Sequence, residues 1–343
     1  MQTTRQSRLV NLSVVLGVVL AVAATTLLVP TLEATFSSSR ASSRVSAAWS
    51  ASQVTLGQKA TIRGRVTSKR IGVRTVSLYV SLKSGWRRLS YLHTGPNGYY
   101  TLTVPTTFYY SRPLQVRAKP TSRAAGATSV SKTFTVGPTA TPRGTSTEWA
   151  PAVPGVEQRF NPCRTVTYRF SPTGAGGGAT ADVKQAFALA TQATGIQFKQ
   201  VSQTVSTPHA SGDFPADTDI IVTSDTSEGT AGAMAPDALS WNKVWSTREA
   251  HDAQGPVRRV VHASIVLNSA FDGRMYEPQP AATQMRVRIL MHELGSVLGL
   301  GPVTFRGEKM MEDVYPADLV EWGAGDLAGL NRVGLVEGCV TDG

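Results

Sequence analysis

Acidic residues are missing from a long stretch of this chain. Between residues 51 and 140 there are fourteen Lys and Arg and no Asp or Glu, whereas 141–343 holds sixteen basic and twenty-two acidic residues. The net charge of +11 therefore conceals a strongly positive region followed by a mildly negative one. Cysteine is almost as scarce: Cys163 and Cys339 are the only two, which limits the chain to a single internal disulfide. They bracket the C-terminal half, and in an exported protein they are expected to pair, two free thiols being the other reading. Closing so long a loop stabilises by up to about 5 kcal/mol in the chain-entropy model.

One long apolar run occurs, Leu9–Val29, preceded by Arg5 and Arg8. It marks residues 1–34 as an export or anchoring segment and not part of a globular fold. Ala21-Val22-Ala23 suits cleavage of a signal peptide, while the run is also about the ~20 residues that a membrane-spanning anchor needs. Both readings place the body of the protein outside the membrane, extracellular or held at the cell surface.

At 343 residues the chain is long enough for two folded units plus leader and linkers. Residues 35–46 are Ser-rich with two Arg and no apolar periodicity, as a flexible stalk would be. From 47 to 136 the pattern has period two, most clearly in Thr75–Leu82, where Val76, Leu78, Val80 and Leu82 alternate with polar neighbours. Similar runs at Thr61–Val66, Tyr99–Val104, Leu114–Ala118 and Thr133–Val136, with a turn at Gly95-Pro96-Asn97-Gly98, predict an all-β immunoglobulin-like sandwich. Residues 137–147, rich in Gly, Pro and Thr, read as a linker.

Beyond the linker, residues 148–343 mix helical and strand periods, as an α+β domain does. Strands are expected at Thr165–Phe170, Ile196–Val201, Asp219–Thr223 and Val260–Leu267. A helix over Ala181–Thr194 has Thr180 to cap it and Gly195 to end it. A second helix over Thr283–Leu298 presents Val287, Leu290, Met291, Leu294 and Val297 on one face, with Gly299 placed to terminate it.

Within this helix stands His292-Glu293-Leu294-Gly295-Ser296-Val297-Leu298-Gly299-Leu300-Gly301-Pro302. It is to be compared with H-E-x-x-H-x-x-G-x-x-H, in which two histidines one turn apart share a helix face, a glycine turns the chain, and a third histidine completes a zinc tripod. Here His292, Glu293 and Gly299 match, but Ser296 and Pro302 stand where the second and third histidines belong. Met310 and Met311 followed by Tyr315-Pro316 resemble a methionine turn, and Gly325-Asp326-Leu327-Ala328-Gly329-Leu330 resembles the start of a C-terminal helix.

Taken together, Trp149–Cys339 resembles the matrixins of the metzincin clan. The resemblance implies a zinc endopeptidase fold in which His292 would hold zinc and Glu293 would act as general base, with Met310, Met311 and Gly299 shaping the site. It also implies a substrate cleft bordered by the Val260–Asn268 strand. Calcium or structural zinc often accompanies the family, and Asp213–Asp225 is the stretch where such an ion would sit; a solvated loop is the plainer reading.

One histidine cannot be expected to retain zinc, since a full structural site is worth roughly 10–16 kcal/mol shared among its ligands. Without the metal, water near Glu293 stays near its bulk pKa of ~15.7 and supplies little nucleophile. His209, His251 and His262, with Asp213, Asp217 and Asp219, lie at no spacing that predicts convergence on His292. The expectation is an exported, catalytically degenerate homologue acting as a binding or structural module; the alternative is an active zinc endopeptidase with non-standard ligands around His292.

The acid-free module suggests a further partner besides an extracellular protein or peptide. Its cations would attract an anionic cell-wall polymer or lipid surface, and nucleic acid fits poorly with export. The bland reading is that these cations merely fill the outer positions of strands. Trp86, Tyr91, Tyr99, Tyr100, Phe108, Tyr109 and Tyr110 could form an aromatic surface, but at strand positions a core role is the commoner one.

Overall fold

A computed structural model describes residues 40–69, 72–203, 212–247, 250–252, 255–271, 280–304, 311 and 321–342. The leader expected over residues 1–34 lies outside these. Among the described residues no helix is long and apolar enough to cross a membrane. The chain forms a β-rich fold with several sheets and few helices.

The first half contains β1 (Ser43–Trp49), β2 (Gln53–Thr55), β3 (Ala60–Ser68), β4 (Thr75–Leu82), β5 (Gly85–His93), β6 (Tyr99–Val104), β7 (Tyr110–Ala118), β8 (Ala127–Thr128) and β9 (Lys132–Gly137). One sheet runs β1-β3-β6 and the other β2-β9-β7-β4-β5, with β8 on β7. The inward residues of both sheets meet in one core that includes Ile62, Leu78, Leu102, Leu114, Val116 and Phe134. Period-two alternation is what permits this, because each strand then offers one apolar face. Tyr110 opens β7 and its hydroxyl donates back to the Pro105 carbonyl at 2.8 Å, tying the strand to the corner before it.

The stalk expected at 35–46 is corrected in its second part. Ala41 bridges to Ala124, and Ser43–Trp49 forms β1, antiparallel to β3 with Val45 opposite Val66. Its small Ser and Ala side chains sit beside β3 without a strong apolar alternation of their own; pairing, not periodicity, makes this segment a strand. The sandwich accordingly begins before residue 47.

The second half carries β10 (Ala150–Pro151), β11 (Gln158–Arg159), β12 (Val166–Phe170), β13 (Phe198–Gln203), β14 (Ile220–Asp225), β15 (Ser240–Ser246), β16 (Ala250–Asp252), β17 (Gly255–Asn268), β18 (Leu300–Gly301) and β19 (Thr341–Asp342). Strands β13, β12, β14 and β17 are parallel neighbours in that order, and β15 closes this part of the sheet antiparallel to β17. The first helix, Ala179–Thr194, follows β12; the helix Pro280–Leu298 follows β17; a third spans Ala324–Val333. These three helices contribute to a core with the sheet through residues that include Val183, Phe187, Leu290, Leu294 and Leu330.

The first helix starts at Gly178 in a left-handed conformation, with no side-chain cap, and Thr180 falls inside it. The expected Thr180 cap is therefore wrong by two residues, while Gly195 ends the helix as expected, with φ of 74°. Asp182 on this helix is buried against Arg286 of the next, at 3.4 Å. Burial pushes the Asp182 carboxyl up from its ordinary value, and the Arg286 guanidinium opposes that shift.

The two halves are packed together. The interior of the sandwich takes in Leu335, Val336 and Cys163 from the second half, and the Tyr109 amide donates to the Gln192 carbonyl at 2.8 Å. Lys83, in the turn between β4 and β5, pairs with buried Glu337, which also pairs with Arg332 at 2.5 Å. The expected linker at 137–147 lies along this junction: the Leu56 amide donates to Gly137, and the Ala324 amide donates to the Arg143 carbonyl at 2.7 Å.

Candidate functional site

The helix Pro280–Leu298 is apolar on the side that faces the sheet, with Ile289, Leu290, Leu294, Val297 and Leu298 almost wholly buried. This packing turns Glu293 toward β15. Glu293 is itself buried, and its two carboxylate oxygens accept from Ser240 Oγ at 2.5 Å and from Asn242 Nδ2. Ser240 and Asn242 are two apart on one strand and so share a face. Two donors on one strand fix the orientation of the carboxylate, and each oxygen keeps a second lone pair.

His292 is partly buried beside it, Ser296 is partly buried one turn on, and Pro302 is exposed. The donor set offered at the motif positions is thus one imidazole, one neutral hydroxyl and no third group. These residues do not fit a zinc ion, which takes thiolate, imidazole or carboxylate ligands. Among the described residues no cluster of three or more His, Cys, Asp or Glu is suitably placed for a metal ion.

Met311 is buried beneath the helix. A Cβ on Gly295 would come within 2.6 Å of its Sδ and 3.6 Å of Trp322. That approach explains a glycine in a helix interior, where it costs about 1 kcal/mol relative to alanine. The Met311 carbonyl accepts from the Val303 amide at 2.8 Å, which ties Met311 to the residue just after the motif. Met310 and Tyr315-Pro316 lie outside the described residues. Gly299 ends the helix at φ of 117°, with no room for a side chain against the Gln158 carbonyl.

Asp326 lies where the start of a C-terminal helix was expected; it is buried in the first turn of Ala324–Val333 and accepts from the Gly323 amide at 2.9 Å. The expected disulfide is present between Cys163 and Cys339. It joins the segment entering β12 to the tail beyond the last helix.

The other candidates are not drawn to His292. His209 is outside the described residues. His251 is exposed on β16, opposite Thr341. His262 lies on β17, stacked on Phe214 at 4.4 Å, and its Nδ1 donates to the Thr218 carbonyl at 3.1 Å. In the acidic stretch, Asp217 pairs with Arg169 at 2.7 Å, and that hydrogen bond holds its carboxyl below the usual range. Asp219 accepts from both Nη atoms of Arg164 at 2.9 and 2.7 Å, and from the Thr167 amide at 2.7 Å. Asp225 accepts from the Thr226 amide at 2.8 Å. These carboxylates are engaged by protein donors.

The strand expected to border a cleft is corrected. Residues 263–268 of β17 lie between β14 and β15, so both edges of that stretch are paired. The run Val260-Val261-His262-Ala263-Ser264-Ile265-Val266-Leu267 is nearly continuous in apolar residues, which is the signature of an interior strand. β15 is the outer strand on this side of the sheet. Sequence reasoning missed it because Ser240, Asn242 and Val244 alternate with Trp241, Lys243 and Trp245, which leaves neither face plainly apolar. The available signal was its polar, mixed character, which suits an edge.

No protein-family model and no curated protein matches the chain. Among solved structures, a conjugative transposon lipoprotein from Bacteroides eggerthii shares 12% identity over 27% of this chain and 95% of its own, with a TM-score of 0.21. A beta-glucuronidase from Ruminococcus gnavus shares 10% identity over 48% of this chain, with a TM-score of 0.20, and the match spans 28% of that enzyme. Likenesses this slight assign neither fold nor function.

Proposed function

We propose that this is an exported, matrixin-like homologue of the metzincin clan whose second half has lost zinc-dependent hydrolysis and serves as an extracellular binding or structural module for protein or peptide. The first half would be an immunoglobulin-like sandwich that holds it at an anionic envelope polymer or lipid surface. Its tyrosine at the start of β7, bonded back to Pro105, is a device such sandwiches use.

The observation that carries the reading is the state of Glu293. A general base must reach the water it activates, and the bonds from β15 to each Glu293 oxygen orient the carboxylate toward that strand and compete with such a water. Ser296 and Pro302 in place of imidazoles argue the same way, while the Met311–Gly295 contact supports descent from a metzincin scaffold. Calcium finds no support in Asp217 and Asp219, which are paired with arginines.

The test is zinc content and hydrolysis by the full-length protein. The expected result is substoichiometric zinc by elemental analysis and no chelator-sensitive cleavage of an unfolded protein substrate; one zinc per chain with such cleavage would restore the endopeptidase reading. Installing Ser296→His with Pro302→His should raise zinc to about one per chain in a folded protein. A folded double variant that binds none counts against the metzincin scaffold.

A further inference from the structure

The sandwich carries a continuous strip of aromatic and cationic side chains on the outer face of β4, β5 and β7. Register sets it out: Ser81 lies opposite Trp86, Tyr79 opposite Arg88, Ser77 opposite Tyr91 and Thr75 opposite His93. Ser77 also lies opposite Arg117 of β7. The alternate residues of β4, Val76, Leu78, Val80 and Leu82, face the core. The outer residues are therefore one surface.

Contacts within the strip alternate ring and cation. The Arg117 guanidinium lies over Tyr79 at 4.4 Å and Trp86 at 5.3 Å; Arg88 lies over Tyr91 at 5.1 Å; Tyr91 meets His93 edge to face at 6.5 Å. Trp86 is 38% and Tyr91 59% exposed. Stacks of this kind are worth about 0.5–1 kcal/mol each at exposed sites, enough to bias the orientation of rings and guanidiniums without covering them. The segment 51–140 holds no carboxylate that could neutralise Arg88 or Arg117. From residue 86 to 93 the strip is about 24 Å long at ~3.4 Å per residue.

We propose that this strip binds an anionic polysaccharide, with sugar rings lying on Trp86 and Tyr91 and the carboxylate or phosphate groups of the polymer meeting Arg88 and Arg117. Exposed rings suit the apolar faces of sugars, and guanidinium is the cation whose geometry matches carboxylate and phosphate. A lipid surface fits less well, because the strip carries no protruding aliphatic group of the kind that enters a bilayer boundary. The proposal rests on the polyanion reading of the sandwich and narrows it to one face and one ligand class.

Full-length protein is titrated with polygalacturonate, with neutral dextran and with phosphatidylglycerol vesicles, at low and at raised salt. Polygalacturonate should bind, more weakly as salt rises, and dextran should not. Trp86→Ala with Tyr91→Ala should weaken polygalacturonate binding roughly tenfold or more with the thermal transition retained, and Arg88→Gln with Arg117→Gln should do the same. Lys59→Gln with Lys132→Gln, which removes two exposed cations elsewhere, should cost less than about threefold. An equal loss in the lysine pair and the aromatic pair overturns the strip but leaves the polyanion reading standing. Binding to vesicles and not to polygalacturonate, unchanged by the aromatic pair, overturns it in favour of a lipid surface. No binding to either polyanion at low salt removes both readings.

Discussion

The two halves of the molecule handle charge differently. In the second half, guanidinium groups are taken inside: Arg159 is buried between Glu157 and Asp252, each at 2.9 Å, and Arg286 is buried beside Asp182. In the sandwich no carboxylate exists to receive a buried cation. Arg74 is the exception that shows the constraint, since it is buried only by donating to the Lys119 and Ala125 carbonyls, each at 2.8 Å, and to Ser43 Oγ. Most remaining cations there lie at the surface or on aromatic rings. Interior charge in this protein thus follows the supply of acceptors: in the acid-free segment Arg74 relies on backbone carbonyls, Lys83 on Glu337 of the second half, and most other cations stay near the surface.

This contrast can be broken first at its covalent limit. Replacing Cys163 and Cys339 by Ser should lower stability by up to about 5 kcal/mol in denaturant unfolding. A loss confined to the second half would show that the halves unfold separately; a single shared transition would show that their junction couples them.

Next in size is Asp182→Ala, which leaves Arg286 buried without that partner. Arg286 keeps its bond to the Gly176 carbonyl at 3.4 Å, so the expected cost is up to about 3 kcal/mol, read from the urea midpoint at constant slope. Removing any one carboxylate from the surface of the second half, such as Asp217, should change the midpoint little. If the two variants behave alike, the interior ion pair is not what distinguishes this half.

At the seam, Glu337→Gln keeps an oxygen acceptor but removes the negative charge shared by Lys83 and Arg332, leaving two cations close together. Both are partly exposed, so a loss of about 2 kcal/mol is expected, larger at low salt than at high. The salt dependence is the sharper measurement, because a merely steric defect would not follow ionic strength.

The smallest effect tests the sandwich alone. Burial pushes the Tyr100 phenol up to about 12, and its hydroxyl donates to the Ser46 carbonyl. Its folded value lies above the ordinary one, so its contribution is fully present below pH ~10 and is lost as pH rises through ~12. Tyr100→Phe should cost about 1 kcal/mol at neutral pH and remove part of the alkaline fall. The two stability curves should therefore cross; parallel curves up to pH ~12 would refute the assignment.

Legibility in the sequence followed the same physical divisions. Thr75–Leu82 and Tyr99–Val104 could be bounded to the residue because alternation was unbroken, and Gly195 could be placed because a left-handed helix end favours glycine. β1 was hidden because strand pairing supplied what its own composition did not. The outer strand β15 was hidden because both its faces are mixed, and with it went the partners of Glu293, the one fact that the motif itself cannot reveal. The apolar residues Leu335 and Val336 gave no hint that they would enter the sandwich, since the local pattern of a tail does not say which core it joins. The aromatics divided by strand register: Tyr100, Phe108 and Tyr110 are buried, while Trp86, Tyr91 and Tyr99 are exposed.

The bridge between Cys163 and Cys339 spans 176 positions and so encloses nearly the whole second half in a covalent ring. A proteolytic cut at any single point within that ring would not release a fragment. The clipped chain would migrate as one species on a denaturing gel without reductant and as two with it, and its N-terminal sandwich would keep hold of both pieces until the thiols were freed.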